Sequence, residues 1–249
     1  MTTHSLLLHS LEPKPTRQEL EEISVKVRSI ARADCAFIAE DWYGIVASGL
    51  PLAEAETFQV ALQGLGIGTD LIADIDIPTL HHDFRCQRID LIGDEIILST
   101  AMARRYPRKR SDLVFVSAGF VDREKAESIS ETQSVLRFSR YGAYNARVEK
   151  SVLKIEEKRF FRIDFFFSAE PNRISLEIGK DTVIFYADRP LRMKSQLDLT
   201  VLMVDLQSLL PPERTNRTLR DLSLNHVYPS MHAYEEELRW AFYRLGAKG

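Results

Sequence analysis

Cysteine is scarce. The 249-residue chain has two, Cys35 and Cys86, too few for a disulfide framework and in keeping with a reducing, cytoplasmic compartment. Long apolar runs are missing too: no stretch approaches the roughly 20 uncharged apolar residues of a membrane-spanning helix. The opening Met1–Ser10 carries Leu6-Leu7-Leu8 but no basic region and no extended apolar core, so it reads as no signal peptide. Nor does one charge dominate, with 33 Lys and Arg against 36 Asp and Glu. What remains is ordinary: 45% hydrophobic and 28% charged residues. Such a chain buries enough apolar surface to offset its ordering entropy, which excludes disorder as its dominant state. Its length suits one large domain or two small ones.

The charge is unevenly placed. Residues 1–103 hold 7 basic and 16 acidic residues, a net of −9, whereas 104–173 hold 16 basic and 10 acidic, a net of +6. This pattern fits complementary faces within one fold or between subunits, or a basic surface for an anionic partner.

Local patterning predicts the elements. Thr16-Arg17-Gln18-Glu19 has the spacing of a capping box, and Pro13 and Pro15 prevent an earlier helix start. Leu20, Ile23, Val27 and Ile30 then recur at helical spacing, predicting a helix from Thr16 to about Arg32. Its narrow stripe, centred on Val27, suits one neighbouring element, in the same chain or in another subunit. Tyr43–Ser48 reads as a strand and Leu52–Leu65 as a helix. Leu71, Ala73, Ile75 and Ile77 alternate with Asp70, Ile72, Asp74 and Asp76, as in a strand with one acidic face. Arg88–Ile92 and Glu95–Ser99 flank Gly93-Asp94, a glycine-first pair suited to a type II′ hairpin. Leu113–Phe120 is a further strand, and the polar Asp122–Gln133 reads as a boundary or an exposed helix.

Five phenylalanines fall between Phe160 and Phe167. Alternation puts Ile163, Phe165 and Phe167 on one side and Arg162, Asp164 and Phe166 on the other, so the strand should be central and covered on both faces. Ile174–Ile178 and Thr182–Ala187 complete an expected three-stranded antiparallel meander. Ser195 and Ser230 are placed to cap two final helices, ending at Leu210 and Leu245. In the last helix Tyr234, Leu238, Ala241, Phe242 and Leu245 form one stripe. Trp240 and Tyr243 lie off it, which makes them candidates for an interface or for a helix buried on two sides.

Few residues suggest chemistry. Gly64, Gly66 and Gly68 follow a helix and precede a strand, the wrong order for dinucleotide binding. His81, His82, Asp83 and Cys86 are all metal-ligand types within six positions, yet no second close pair completes a set. Cys86 also lacks an oxyanion motif that would make it a nucleophile with a neighbouring histidine. Asp70, Asp74 and Asp76, on one strand face, could hold a divalent cation or work as an acid–base pair. Arg104, Arg105, Arg108, Lys109 and Arg110 surround Tyr106 and could bind phosphates, although a solvated turn is the simpler account. Asn216-Arg217-Thr218 matches a glycosylation sequon that has no meaning without secretion.

Tyr43–Ile77, 35 of the 249 residues, resembles the small strand–helix–strand modules that recur in uncharacterised bacterial proteins. The whole chain resembles a bacterial α+β family of unassigned function, which implies no activity and no site. The expected architecture is α+β, with two associated parts of antiparallel sheet covered by helices. These are an acidic part at 1–121, a polar connecting segment at 122–150, and a meander with two helices at 151–249. No cofactor is implied. The leading expectation is a non-enzymatic binding or regulatory protein that acts through a protein partner or self-association. The alternatives are a divalent-metal hydrolase, using the His81–Cys86 segment or the aspartate face, and a nucleic-acid binder using Arg104–Arg110.

Overall fold

A computed structural model describes residues 2–139 and 142–246, and over 123–158 it describes the backbone. The fold is α+β, with antiparallel-rich sheets covered by helices.

The N-terminal unit is a three-stranded antiparallel sheet. Strand β1 (His4–Leu8) lies between β2 (Ile45–Leu50) and β3 (Thr69–Ala73). Helices α1 (Arg17–Ser24), α2 (Asp34–Glu40) and α3 (Leu52–Gly64) complete it. Leu6, Leu8, Leu20, Val27, Phe58 and Leu62 meet in its core. The Thr16 capping box forms: Glu19 N–H donates to Thr16 Oγ1 at 3.3 Å, and Thr16 N–H to Glu19 Oε2 at 2.7 Å. The helix is shorter than its apolar period suggested, ending at Ser24. Ser24, Val25, Val27 and Ser29 favour helix poorly, and the chain continues in single turns such as Ile30 N–H to Val27 O. Val27 stays fully buried, in the core of its own chain.

β3 also stops early. Residues 74–76 form a 3₁₀ turn, so Asp70, Asp74 and Asp76 do not share a strand face. Asp74 explains the break, because its carboxylate accepts from Ser5 Oγ at 2.5 Å and Gly49 N–H at 3.2 Å, which ties the turn to β1 and β2.

The rest of the chain builds two five-stranded sheets. One has the order β13 (Val227–Tyr228), β8 (Leu113–Ser139), β9 (Gly142–Phe167), β10 (Arg173–Ile178), β4 (Phe84–Cys86). The other runs β12 (Arg189–Leu191), β11 (Ile184–Tyr186), β5 (Arg88–Ile92), β6 (Glu95–Ser99), β7 (Arg105–Lys109). Both contribute to one core with helix α4 (Gln196–Gln207) and the short helix α5 (Arg217–Arg220), through Phe161, Ile163, Phe165, Ile174, Leu176, Ile89, Leu98, Leu202 and Leu219. The β5–β6 hairpin turns at Gly93, whose φ of +57° suits the glycine-first turn. Ser195 precedes α4 without a side-chain cap, whereas Ser230 Oγ accepts from Ala233 N–H.

Three further expectations are corrected. The meander breaks after its second strand: β10 pairs antiparallel with β9, but its outer edge is taken by β4 in parallel. β11 instead crosses to pair with β5 and β12. The apolar face of β10 thereby gains cover, with Ile184 and Ile89 in the shared core. Residues 122–133 are strand and not an exposed helix, because the β8–β9 ladder runs on through them, from Leu113↔Phe167 to Ser139↔Gly142. β-formers such as Ile129 and Thr132 occur there, with Val148 and Val152 on the facing strand, and no helical apolar stripe is present. The basic Arg105–Lys109 segment is itself an edge strand, where Pro107 is tolerated because an edge amide needs no partner.

The phenylalanine strand, β9, sits between β8 and β10 with both faces covered, and Phe166 is buried. Its second face packs under helix α6 (Met231–Arg244) through Phe115, Phe160, Phe166, Tyr234, Leu238 and Phe242. Trp240, on the far side of α6, donates from Nε1 to Leu8 O at 2.6 Å. α6 is therefore a wall shared by the N-terminal unit and the central sheet.

Candidate functional site

The alternation that buries Ile163 and Phe165 on one face of β9 forces Arg162 and Asp164 onto the other. Strand register lines up their partners. Ser117 of β8 and Ser175 of β10 flank Asp164, and Glu177 lies beside Arg162. Asp83, just before β4, reaches the same face, and Tyr234 of α6 closes it from above. The result is a charged cluster inside the protein, with Arg162 2% exposed and Asp164 0%.

Each charge is matched. Arg162 donates to Asp164 from Nε at 2.6 Å and Nη2 at 2.9 Å, to Asp83 Oδ2 at 2.8 Å, and to Glu177 Oε1 at 2.8 Å. Asp164 also accepts from Arg173 Nε and Tyr234 Oη, both at 2.9 Å. Ser175 Oγ donates to Asp83 at 2.8 Å, and Arg85 Nη1 lies 3.2 Å from Glu177. Burying an isolated ion costs several kcal/mol, which only such saturated pairing offsets. Burial alone would raise the Asp83 carboxyl, but the Arg162 guanidinium more than reverses this and holds it at about 2. Asp164 is likewise kept low by its two arginines against its complete burial. The arginines move the opposite way: burial opposes their charge, and Asp164 more than restores it. The Tyr234 phenol is pushed far above 10, first by burial and then by Asp164.

Arg173 connects this cluster to the surface. It is 4% exposed, with Nε on Asp164 and Nη1 on Glu235 Oε1 at 2.9 Å and on His81 O at 3.3 Å. Its Nη2 is buried without a hydrogen-bond partner, and so is Arg239 Nε. Both arginines line one cleft of about 510 Å³, together with Thr79–Asp83, His232 and Glu235. The volume falls in the range of roughly 300–1,000 Å³ usual for small-ligand sites.

The structure disperses most residues singled out by sequence. His81 and His82 are exposed at the cleft and Asp83 belongs to the cluster, but Cys86 is buried in the core on the opposite face of the sheet. Burial pushes its thiol up to about 11. Among the described residues no group of three His, Cys, Asp or Glu side chains is arranged to hold a metal ion. Asp70 faces His9 at 2.9 Å, and Arg244 and Tyr243 more distantly, while Asp74 staples β1 and β2. Just before the basic strand, Arg104 lies 5.2 Å over the Tyr106 ring. Arg108 donates to Glu170 O, and Arg110 to the carbonyls of Ser208 and Leu209. Arg105 and Lys109 are exposed. Trp240 and Tyr243 are half-buried against the N-terminal unit of their own chain.

Arg162, Asp164 and Arg173 were not singled out by sequence reasoning. A signal was present: a strand covered on both faces must bury whatever its second face carries, here an arginine and an aspartate.

No protein-family model matches the chain, and neither a curated protein nor a solved structure is found to be similar to it.

Proposed function

We propose that this chain is a non-enzymatic binding protein whose recognition site is the cleft over Arg173. One observation carries the reading: the charged groups beneath the cleft are consumed by one another, while Arg173 and Arg239, which line it, each have one buried nitrogen without a partner. A carboxyl held at about 2 and arginines held above their ordinary range do not exchange protons near neutral pH. Such a cluster fixes donors in place, which serves recognition more than proton transfer. The rim, with His81, His82 and His232 exposed, can admit a small molecule or a projecting group of a partner protein.

The test is a ligand screen against the purified protein, followed by amide NMR. Binding should shift residues 79–83 and 232–239 and weaken on Arg239→Gln, while Arg105→Gln leaves it unchanged. Turnover of an ester or phosphoester that depends on Arg173 or Arg239 would refute the proposal. So would ligands that map away from the cleft.

A further inference from the structure

We infer that the group held in this cleft is a single carboxylate, donated to by Arg173 and Arg239; the inference rests on the cleft being the recognition site. Arg173 is more than nine-tenths buried and is oriented by Asp164, Glu235 and the His81 carbonyl, so its unpartnered Nη2 is a fixed donor rather than a mobile surface charge. Its other nitrogens are taken, so it offers one nitrogen in place of the two-nitrogen fork that a free arginine presents to a carboxylate or phosphate. Arg239 Nε, on the same cleft, is likewise buried without a partner. One donor from each of the two side chains serves the two oxygens of one carboxylate.

The neighbouring charges argue for the same valence. Asp83 and Glu235 line the cleft with the two arginines. A monoanion adds one negative charge beside two carboxylates and two guanidinium groups. A phosphate dianion would double the repulsion from Asp83 and Glu235 with no further arginine among the lining residues to oppose it. A carboxylate of this kind can come from a free small acid or from the end of a polypeptide chain.

The probes are acetate, N-acetylglycine as a mimic of a chain end, N-acetylglycinamide as its uncharged counterpart, and inorganic phosphate. Each is titrated into ¹⁵N-labelled full-length protein, with arginine Nε–H and cleft amide signals followed. Arg173→Gln uncouples Asp164 and can fail to fold, so Arg239→Gln, which leaves the buried cluster intact, is the deciding variant. The expected result is that the carboxylates shift the cleft signals, with the amide and phosphate at least about tenfold weaker. Arg239→Gln should lose about tenfold in carboxylate affinity at an unchanged melting temperature. N-acetylglycine binding more tightly than acetate assigns the carboxylate to a chain end, and equal binding assigns it to a small acid; either supports the inference. If phosphate or the amide binds the cleft as well as the carboxylates do, the inference falls and the recognition site stands. If Arg239→Gln leaves carboxylate binding unchanged, the two-arginine account is likewise overturned. If no probe moves a cleft signal, both the inference and the proposed site fall.

Discussion

Arg162→Met puts the buried cluster to a direct test. Methionine keeps much of the arginine's length and removes its charge, so the perturbation is chiefly electrostatic. Four hydrogen bonds disappear, two to Asp164 and one each to Asp83 and Glu177. Removing one partner of a buried ion pair costs roughly 3–5 kcal/mol, because the remaining charges stay behind without compensation. That is a large share of the roughly 5–15 kcal/mol that holds a typical domain folded. Asp83 supplies part of the sum. Its side chain is 26% exposed, and a carboxyl lowered from 3.8 to about 2 corresponds to about 2 kcal/mol. The sign follows from the lowered value. This stabilisation is complete above the unfolded-state value and is lost as the pH falls from there toward about 2. Without Arg162 the same carboxyl has little reason to remain low. Urea denaturation followed by circular dichroism should therefore show the variant roughly 3–5 kcal/mol less stable at neutral pH. The gap to the parent protein should narrow as the pH drops below about 4. A loss under about 1 kcal/mol at neutral pH, or a gap that widens in acid, would show that Arg162 is not the keystone of a charged cluster.

Further consequences can be checked with single variants. Gly44 has φ of +102°, and a Cβ placed there would lie 2.2 Å from Trp240 Cγ. Gly44→Ala should thus cost about 2–4 kcal/mol in denaturant titration, from combined backbone strain and overpacking. The Trp240→Ala, Tyr243→Ala double variant removes the aromatic contact between α6 and the N-terminal unit. It should lose roughly 3–5 kcal/mol with no change of mass in light scattering, and a change of mass at unchanged stability would contradict that placement. Cys35 and Cys86 are both buried, and the Cys86 thiol is pushed up to about 11 by burial. Neither should react with a thiol reagent in the native state, while both should react in denaturant.

Much of the local structure was legible because its causes are local. The capping box at Thr16 and the Gly93 turn depend on a few adjacent residues, and the two faces of Phe160–Phe167 follow from the period of a strand. What was not legible depends on distant pairing. The parallel contact of β10 with β4, in which Leu176 meets Cys86, and the exit of β11 to the other sheet are settled by which edges remain open once the core forms. The site shares that origin. Arg162 and Asp164 are two positions apart, but Arg173, Asp83 and Tyr234 join them only after β4, β10 and α6 have assembled. The alternating Arg173, Ser175 and Glu177 of β10 look like a solvated face until α6 is laid across the neighbouring strands. Helix ends failed for a smaller reason: Val27 and Ile30 kept the apolar period while Ser24, Val25 and Ser29 stopped the helix beneath it.

The shared position of α6 has a consequence for the order in which a nascent chain can mature. The N-terminal sheet, with its helices, draws its own core from residues before Asp74, so that layer can condense while the ribosome is still at work. Its opposite side, and the phenylalanines at Phe115 and Phe166, share a single late cover. Until Met231–Arg244 has emerged, both surfaces stand open together and the Arg162–Asp164 pair remains in water. A chain stalled before Ser230 would then show chaperones and proteases two apolar faces at once. Completing one helix conceals both.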